Sequence, residues 1–174
     1  LLNPTPSSPP WIAVYVKHRH EKNVVLNLDS KGISSFLPLY SQRNKSGKIF
    51  DLPLFPGYVF CQLELQNSLA VRTTPGVFTI VGDGSGPAII PSWEIDRLRH
   101  TVGSKVAIKP WPYVSIGDEV HLESGPLRGV RGVVVNDDHD QWLVLSVHLL
   151  KRSVAVRVER SQLAANSRSG YEGR

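Results

Sequence analysis

A Pro-Gly pair set directly before an alternating apolar strand constrains this chain more than any other feature. The run Leu54-Phe55-Pro56-Gly57-Tyr58-Val59-Phe60 feeds straight into Tyr58-Val59-Phe60-Cys61-Gln62-Leu63. Proline lacks a backbone N–H and fixes φ, so a buried strand rarely opens this way. A sharp approach is therefore expected, with aromatic rings left near the rim of a sheet. Rings at a rim suit a docking surface, and a plain edge strand suits the same residues. By alternation Tyr58 and Phe60 share one face of that strand.

Thirteen prolines and fourteen glycines in 174 residues favour many short elements over long helices, in one domain or two small ones. A net charge of +5 points to a polyanion or an acidic protein as partner. The single cysteine, Cys61, excludes an internal disulfide and argues for a reducing compartment, hence a cytoplasmic location. Inside a strand it reads as a small buried hydrophobe rather than a nucleophile. No apolar run approaches the ~20 residues of a membrane span. Residues 1–10 lack the basic start of a signal peptide, and with no Met anywhere the chain is expected to be trimmed.

Along the chain, residues 1–10 are a disordered lead-in by composition. Trp11 to Val16 reads as a strand. Arg19 to Lys31 reads as a helix with Val24, Val25 and Leu28 on one face and Gly32 as its stop. Ile33 to Tyr40 is a second strand, 41–49 a polar loop with Arg43, Lys45 and Lys48, and 52–65 the third strand with its Pro-Gly approach. Asn67 caps a short helix to about Thr73, Val77 to Val81 is a fourth strand, and a last helix runs from Trp93 to about Val102. The two middle strands are too close for a parallel crossover, so they pair antiparallel. The expected fold class is α+β, an antiparallel sheet packed with helices over 11–102.

Residues 103–113, with Lys105, Lys109, Pro110 and Pro112 around Trp111, read as a linker. Beyond it the apolar segments are short and rich in β-branched residues: 119–122, 130–135, 142–147 and 154–158. Turn signals separate them, so 114–163 is expected to form a small β-barrel. Residues 164–174 read as an unstructured tail.

The second half carries Gly117-Asp118, then Gly125-Pro126, Gly129 and Gly132 ahead of Val133-Val134. Gly125 and Gly129 would supply positive φ or close backbone approach in a tight barrel. This pattern resembles the KOW motif, found in SH3-like barrels of ribosomal proteins and transcription elongation factors. The first half, with its Trp-initiated strand, helix, Phe55-to-Phe60 run and Val71-Arg72-Thr73-Thr74-Pro75-Gly76-Val77, resembles the N-terminal domain of the NusG family. The order of domains is also that family's. The segments Tyr15 to Lys22, Phe36 to Tyr40 and Leu149 to Val154 look most like its specialised, operon-specific antiterminators of the RfaH type.

The resemblance implies a non-enzymatic transcription elongation and antitermination factor. The family's N-terminal domain docks an apolar patch on the clamp helices of the RNA polymerase β′ subunit. Trp11, Tyr15, Phe55, Pro56, Tyr58 and Phe60 become candidates for that patch or its support. A second, basic surface, which the family turns toward the displaced non-template DNA strand, would comprise Lys17, Arg19, His20, Lys22 and Asn23 with Arg72, Thr73 and Thr74. A solvated helix face is the other reading of those residues. Arg43, Lys45 and Lys48 would add phosphate contacts or keep a hairpin soluble. The family's KOW barrel recruits Rho or a small-subunit ribosomal protein, here around Leu127, Arg128 and the Val154 strand. Its β-branched content argues for a stable barrel over a helical hairpin.

The factor is expected to act as a monomer, away from membranes. No cofactor or metal is expected, because the six histidines do not fall at ligand spacing with carboxylates or a thiol, and no Gly-rich phosphate loop opens a helix. The competing function is a ribosome-associated or RNA-binding KOW protein, in which the barrel carries the activity.

Overall fold

The computed structural model describes residues 8–114, 119–137 and 140–163. The chain divides into two compact units, 1–96 and 97–174, and the division falls inside a helix. The first unit runs β1 (Trp11–Val16), α1 (Glu21–Ser30), β2 (Ser35–Phe36), β3 (Leu39–Arg43), β4 (Ile49–Pro53), β5 (Tyr58–Gln62), α2 (Ser68–Arg72), β6 (Val77–Ile80), β7 (Gly82–Asp83), β8 (Gly86–Pro87), β9 (Ile89–Ile90) and the start of α3 (Ser92–Gly103). Its main sheet has the order β2-β5-β1-β6, β9 also pairs with β1, and all these pairs are antiparallel.

Alternation sends Ile12, Val14 and Val16 of β1, and Val59 and Cys61 of β5, to one face. There they pack with Val24 and Leu28 of α1 and Val71 of α2. The i, i+4 spacing of Val24 and Leu28 makes them one stripe of the helix. The β2–β5 pair is the expected antiparallel match of the two middle strands.

Three expectations change in this unit. The strand expected over 33–40 is broken: β2 ends at Phe36 and β3 begins at Leu39, with Pro38 between them. The polar loop expected over 41–49 is a β-hairpin, β3 paired with β4 from Leu39↔Pro53 to Arg43↔Ile49. The first helix begins at Glu21 rather than Arg19, because Arg19 sits at φ 65, outside the right-handed helical region.

The second unit contains β10 (Ile108–Trp111), β11 (Glu119–His121), β12 (Arg131–Asp137), β13 (Asp140–Val147) and β14 (Arg152–Val158) in one antiparallel sheet, order β10-β14-β13-β12-β11. Part of the expected linker is thus a strand: Ile108 to Trp111 pairs with Val156 to Ser153. Pro110 fits there because β10 lies at the sheet edge. Beyond β14, Leu163 forms a lone antiparallel bridge with Leu122, which brings the chain back to the β11 side of the sheet. Leu122, Leu143, Leu145, Val154 and Val156 are buried. Gly125 and Gly129 adopt φ of 80 and 83, as their spacing led us to expect. Gly132 is buried against the neighbouring strand, where a Cβ would fall 2.5 Å from the Val144 carbonyl oxygen. Gly117 and Asp118 lie outside the described residues.

Candidate docking face and basic rim

Two Pro-Gly turns shape the site. In Phe55-Pro56-Gly57-Tyr58 the Tyr58 N–H donates to the Phe55 carbonyl at 3.0 Å, and Gly57 has φ 85. In Thr74-Pro75-Gly76-Val77 the Val77 N–H donates to the Thr74 carbonyl at 3.0 Å, and Gly76 has φ 91. Proline at the second position and a positive-φ glycine at the third are the signature of a type II turn. Both turns grip the end of β1: the Val16 N–H donates to Gly57 O and the Lys17 N–H to Gly76 O, each at 2.8 Å. The buried Glu21 carboxylate accepts the Gly57 N–H at 2.9 Å and satisfies a donor that no strand could reach. A Cβ at Gly57 would meet the Tyr15 ring at 3.2 Å, and one at Gly76 would meet Val24 at 3.1 Å.

Gripped in this way, β1 carries Tyr15 directly opposite Tyr58 of β5, their ring centroids 5.5 Å apart. On the other side the β1–β6 register shifts between Tyr15 and Val16, and Phe78 comes within 5.6 Å of the Tyr15 ring. The result is a row of three rings across three strands, on the sheet face away from α1. Tyr15 is 43% exposed, Phe78 is 64% exposed and Tyr58 is half-buried. Pro56 is exposed beside them.

The other three proposed ring residues are not on this surface. Trp11, Phe55 and Phe60 are buried, with 2%, 1% and 0% exposure. Phe55 packs edge-on against Phe60 at 5.7 Å, and Phe36 stacks on Phe60 at 6.2 Å. These rings support the face from within the fold, and Phe55, expected at the rim, is core. Phe78, in contrast, escaped the sequence reading. Its signal was the second Pro-Gly pair, since Pro75-Gly76-Val77-Phe78 delivers a ring much as Pro56-Gly57-Tyr58 does.

The basic residues gather at the same end of β1. Lys17, Arg19, Lys22 and Asn23 are exposed, and His20 is half-buried against Gly76, whose Cβ position lies 3.5 Å from the His20 Cβ. The turn holding Gly76 follows Arg72 and Thr73, both exposed at the end of α2. One junction therefore joins the two halves of the basic set. Arg19, at φ 65, occupies a left-handed conformation that glycine adopts at lower cost. Thr74 leaves the set: it is 2% exposed, its hydroxyl donates to the Ala70 carbonyl at 2.9 Å and accepts from Lys31 Nζ at 2.8 Å. Lys31 also donates to Ala70 O at 2.8 Å, tying α1 to α2.

Burial pushes the Cys61 thiol up to about 12, so it stays protonated and unreactive at neutral pH. Among the described residues no three His, Cys, Asp or Glu side chains group as metal ligands, and no helix is long and apolar enough to cross a membrane.

The family model described as transcription termination factor nusG matches residues 9–99, more than half of the chain. This chain belongs to the NusG family. The match covers β1 to β9 and most of α3, so the ring row and the basic rim both lie inside the NusG segment. Among curated relatives, the NusG transcription termination/antitermination protein of Deinococcus radiodurans is 33% identical over 64% of this chain and 67% of its own length. The NusG protein of Campylobacter jejuni is 27% identical over 70% of each chain. A solved structure titled for domain interaction in Thermotoga maritima NusG shares the fold, with a TM-score of 0.56 at 23% identity, covering 88% of this chain and 95% of that one. The chain is accordingly similar to transcription termination/antitermination factors, and carries their mixed α and β architecture.

Proposed function

We propose that this NusG-family chain rides on RNA polymerase, docking Tyr15, Tyr58 and Phe78 on the β′ clamp helices and suppressing pausing or termination. The observation that carries this reading is the open ring row, because large rings left partly exposed on a rigid sheet are the usual anchors of a protein interface. Pro56 borders the contact, and Trp11, Phe55 and Phe60 pack the covered end of the same sheet face. The basic rim of Lys17, Arg19, His20, Lys22 and Asn23 with Arg72 and Thr73 then faces the displaced non-template strand, where cations meet phosphates. This rim favours the operon-specific branch of the family. A strained Arg19 at its centre supports a use for the guanidinium that outweighs the backbone cost.

In this reading the N-terminal domain ends with α3, and the second unit is a KOW domain with an SH3-like barrel that recruits Rho or a small-subunit ribosomal protein. The Leu122–Leu163 bridge supports barrel closure, and the glycine geometry at 125, 129 and 132 supports the motif. The factor works in the cytoplasm as a monomer and performs no chemistry of its own. The family match over 9–99 favours this function over a ribosome-associated KOW protein.

The test is transcription in vitro through a pause site and a Rho-dependent terminator, with core polymerase and the full chain. Read-through or residence at the pause should change with the parent protein and return toward baseline with Phe78→Ala. A parent protein that neither binds polymerase nor alters either signal would refute the proposal.

A further inference from the structure

The β3–β4 hairpin is the most exposed ordered segment of the first unit. Residues 41–52 are exposed without interruption, yet they form paired strands. Among the described residues no third strand joins this ribbon. Its turn is locked from inside: Asn44 Oδ1 accepts from the Ser46 N–H at 3.1 Å, the Ser46 hydroxyl at 2.8 Å and the Lys48 N–H at 2.9 Å. The turn's own hydrogen bonds thus hold the tip without a core beneath it, and each arm spans roughly 17 Å.

The register sorts its side chains into two unlike faces. Pairs Tyr40↔Leu52 and Gln42↔Phe50 share one face, and Lys48 continues it with its ammonium 5.3 Å above the Phe50 ring. The opposite face holds Asp51, which accepts from the Ser41 hydroxyl at 2.7 Å, and the Arg43↔Ile49 pair. The ribbon's one acid is therefore turned away from the ring face and already hydrogen-bonded. Of the three cations near the tip, Lys48 lies on the ring face and Lys45 in the turn, while Arg43 shares the Asp51 face and donates to the Gly47 carbonyl at 3.5 Å. Phe50 at 41% and Leu52 at 37% exposure form an apolar strip bordered by positive charge.

Charge of this sign excludes a basic partner and favours a polyanion. Rings, an amide and cations on one ribbon match what a single nucleic-acid strand asks for: faces for bases, a donor and acceptor for base edges, and cations for phosphates. We propose that the β3–β4 hairpin is a second nucleic-acid contact, on which Tyr40 and Phe50 stack unpaired bases beside the apolar Leu52 while Lys45 and Lys48 hold the phosphates. The contact is separate from the basic rim at Lys17 and Arg19, and it does not rest on polymerase docking.

The probe is a fluorescently labelled single-stranded oligothymidine, titrated with the full chain in the absence of polymerase and over a range of salt. An RNA strand and a DNA duplex serve as parallel arms. Phe50→Ala should weaken single-strand binding roughly tenfold, the loss of one stacked base. Lys45→Ala and Lys48→Ala should each lower the salt slope by about 0.7. Lys17→Ala with Arg19→Ala should leave the Phe50 effect in place. All these side chains are exposed, so circular dichroism should show each variant folded. Equal binding by parent and Phe50→Ala would overturn the proposal, leaving a merely electrostatic arm. Tighter binding to duplex than to single strands would overturn it too. Failure to bind any oligonucleotide would do so as well and would leave an acidic protein as the occupant.

Discussion

One sheet face changes character along its length. On β1 the residues Trp11, Ala13 and Tyr15 point the same way, and exposure rises from 2% and 0% to 43%. On β5, Phe60 is sealed while Tyr58, two residues before it, is half-open. Cross-strand partners keep the same order, Ala13 opposite Phe60 and Tyr15 opposite Tyr58. Aromatic residues at one end thus build stability, and aromatic residues at the other end stay available to a partner. The two Pro-Gly turns mark the boundary, because they fix Tyr58 and Phe78 around Tyr15 where the cover ends.

The largest expected effect breaks the sealed end. Phe60→Ala should cost about 3–5 kcal/mol of folding stability, measured by urea unfolding, as a large ring leaves a packed site. A loss under about 1 kcal/mol would mean that this end is not core. At the open end the pattern should invert. Phe78→Ala should change stability by no more than about 0.5 kcal/mol, and should weaken polymerase binding by roughly 2 kcal/mol, about thirtyfold. Between the two lies Gly57→Ala, which forces a Cβ toward the Tyr15 ring at a φ that disfavours alanine. It should destabilise by about 1 kcal/mol or more and also impair docking.

The effect smallest at neutral pH concerns Cys61, buried on the helix side of β5. Its thiol is held near 12 against an ordinary 9.0, so the folded state keeps the proton that the unfolded chain gives up. Stability should therefore be intact below pH 9 and decline as pH rises from 9 toward 12. An aromatic disulfide reagent at pH 8 should label the unfolded chain and not the native one. Rapid labelling of native protein would place the thiol at the surface.

Alternation in β1 and β5 was legible in the sequence, and so was the pairing of the two middle strands. Where along a face the cover stops was not, because exposure depends on what the rest of the chain lays over each position. Phe55 illustrates the point: its neighbours Pro56 and Tyr58 are open or half-open, yet Phe55 turns inward onto Phe60. The hairpin arms were hidden for a different reason. Ser41-Gln42-Arg43 buries nothing, so no hydrophobic period reveals a strand held by cross-strand bonds and the Asn44 turn. The β10 strand was masked by Lys109 and Pro110, residues that an edge position tolerates. Thr74 was grouped with basic neighbours by sequence adjacency, whereas its hydroxyl is spent inside the fold.

The central claim is that the open rings, and not exposed apolar area in general, hold the polymerase. Leu26 on α1 is 68% exposed and provides the control for Phe78 at 64%. The most direct measurement is the affinity of the full chain for core RNA polymerase, comparing Phe78→Ala with Leu26→Ala. The account predicts a loss of about thirtyfold for Phe78→Ala and no change for Leu26→Ala. Parent-like binding by Phe78→Ala, or an equal loss in both variants, would contradict it.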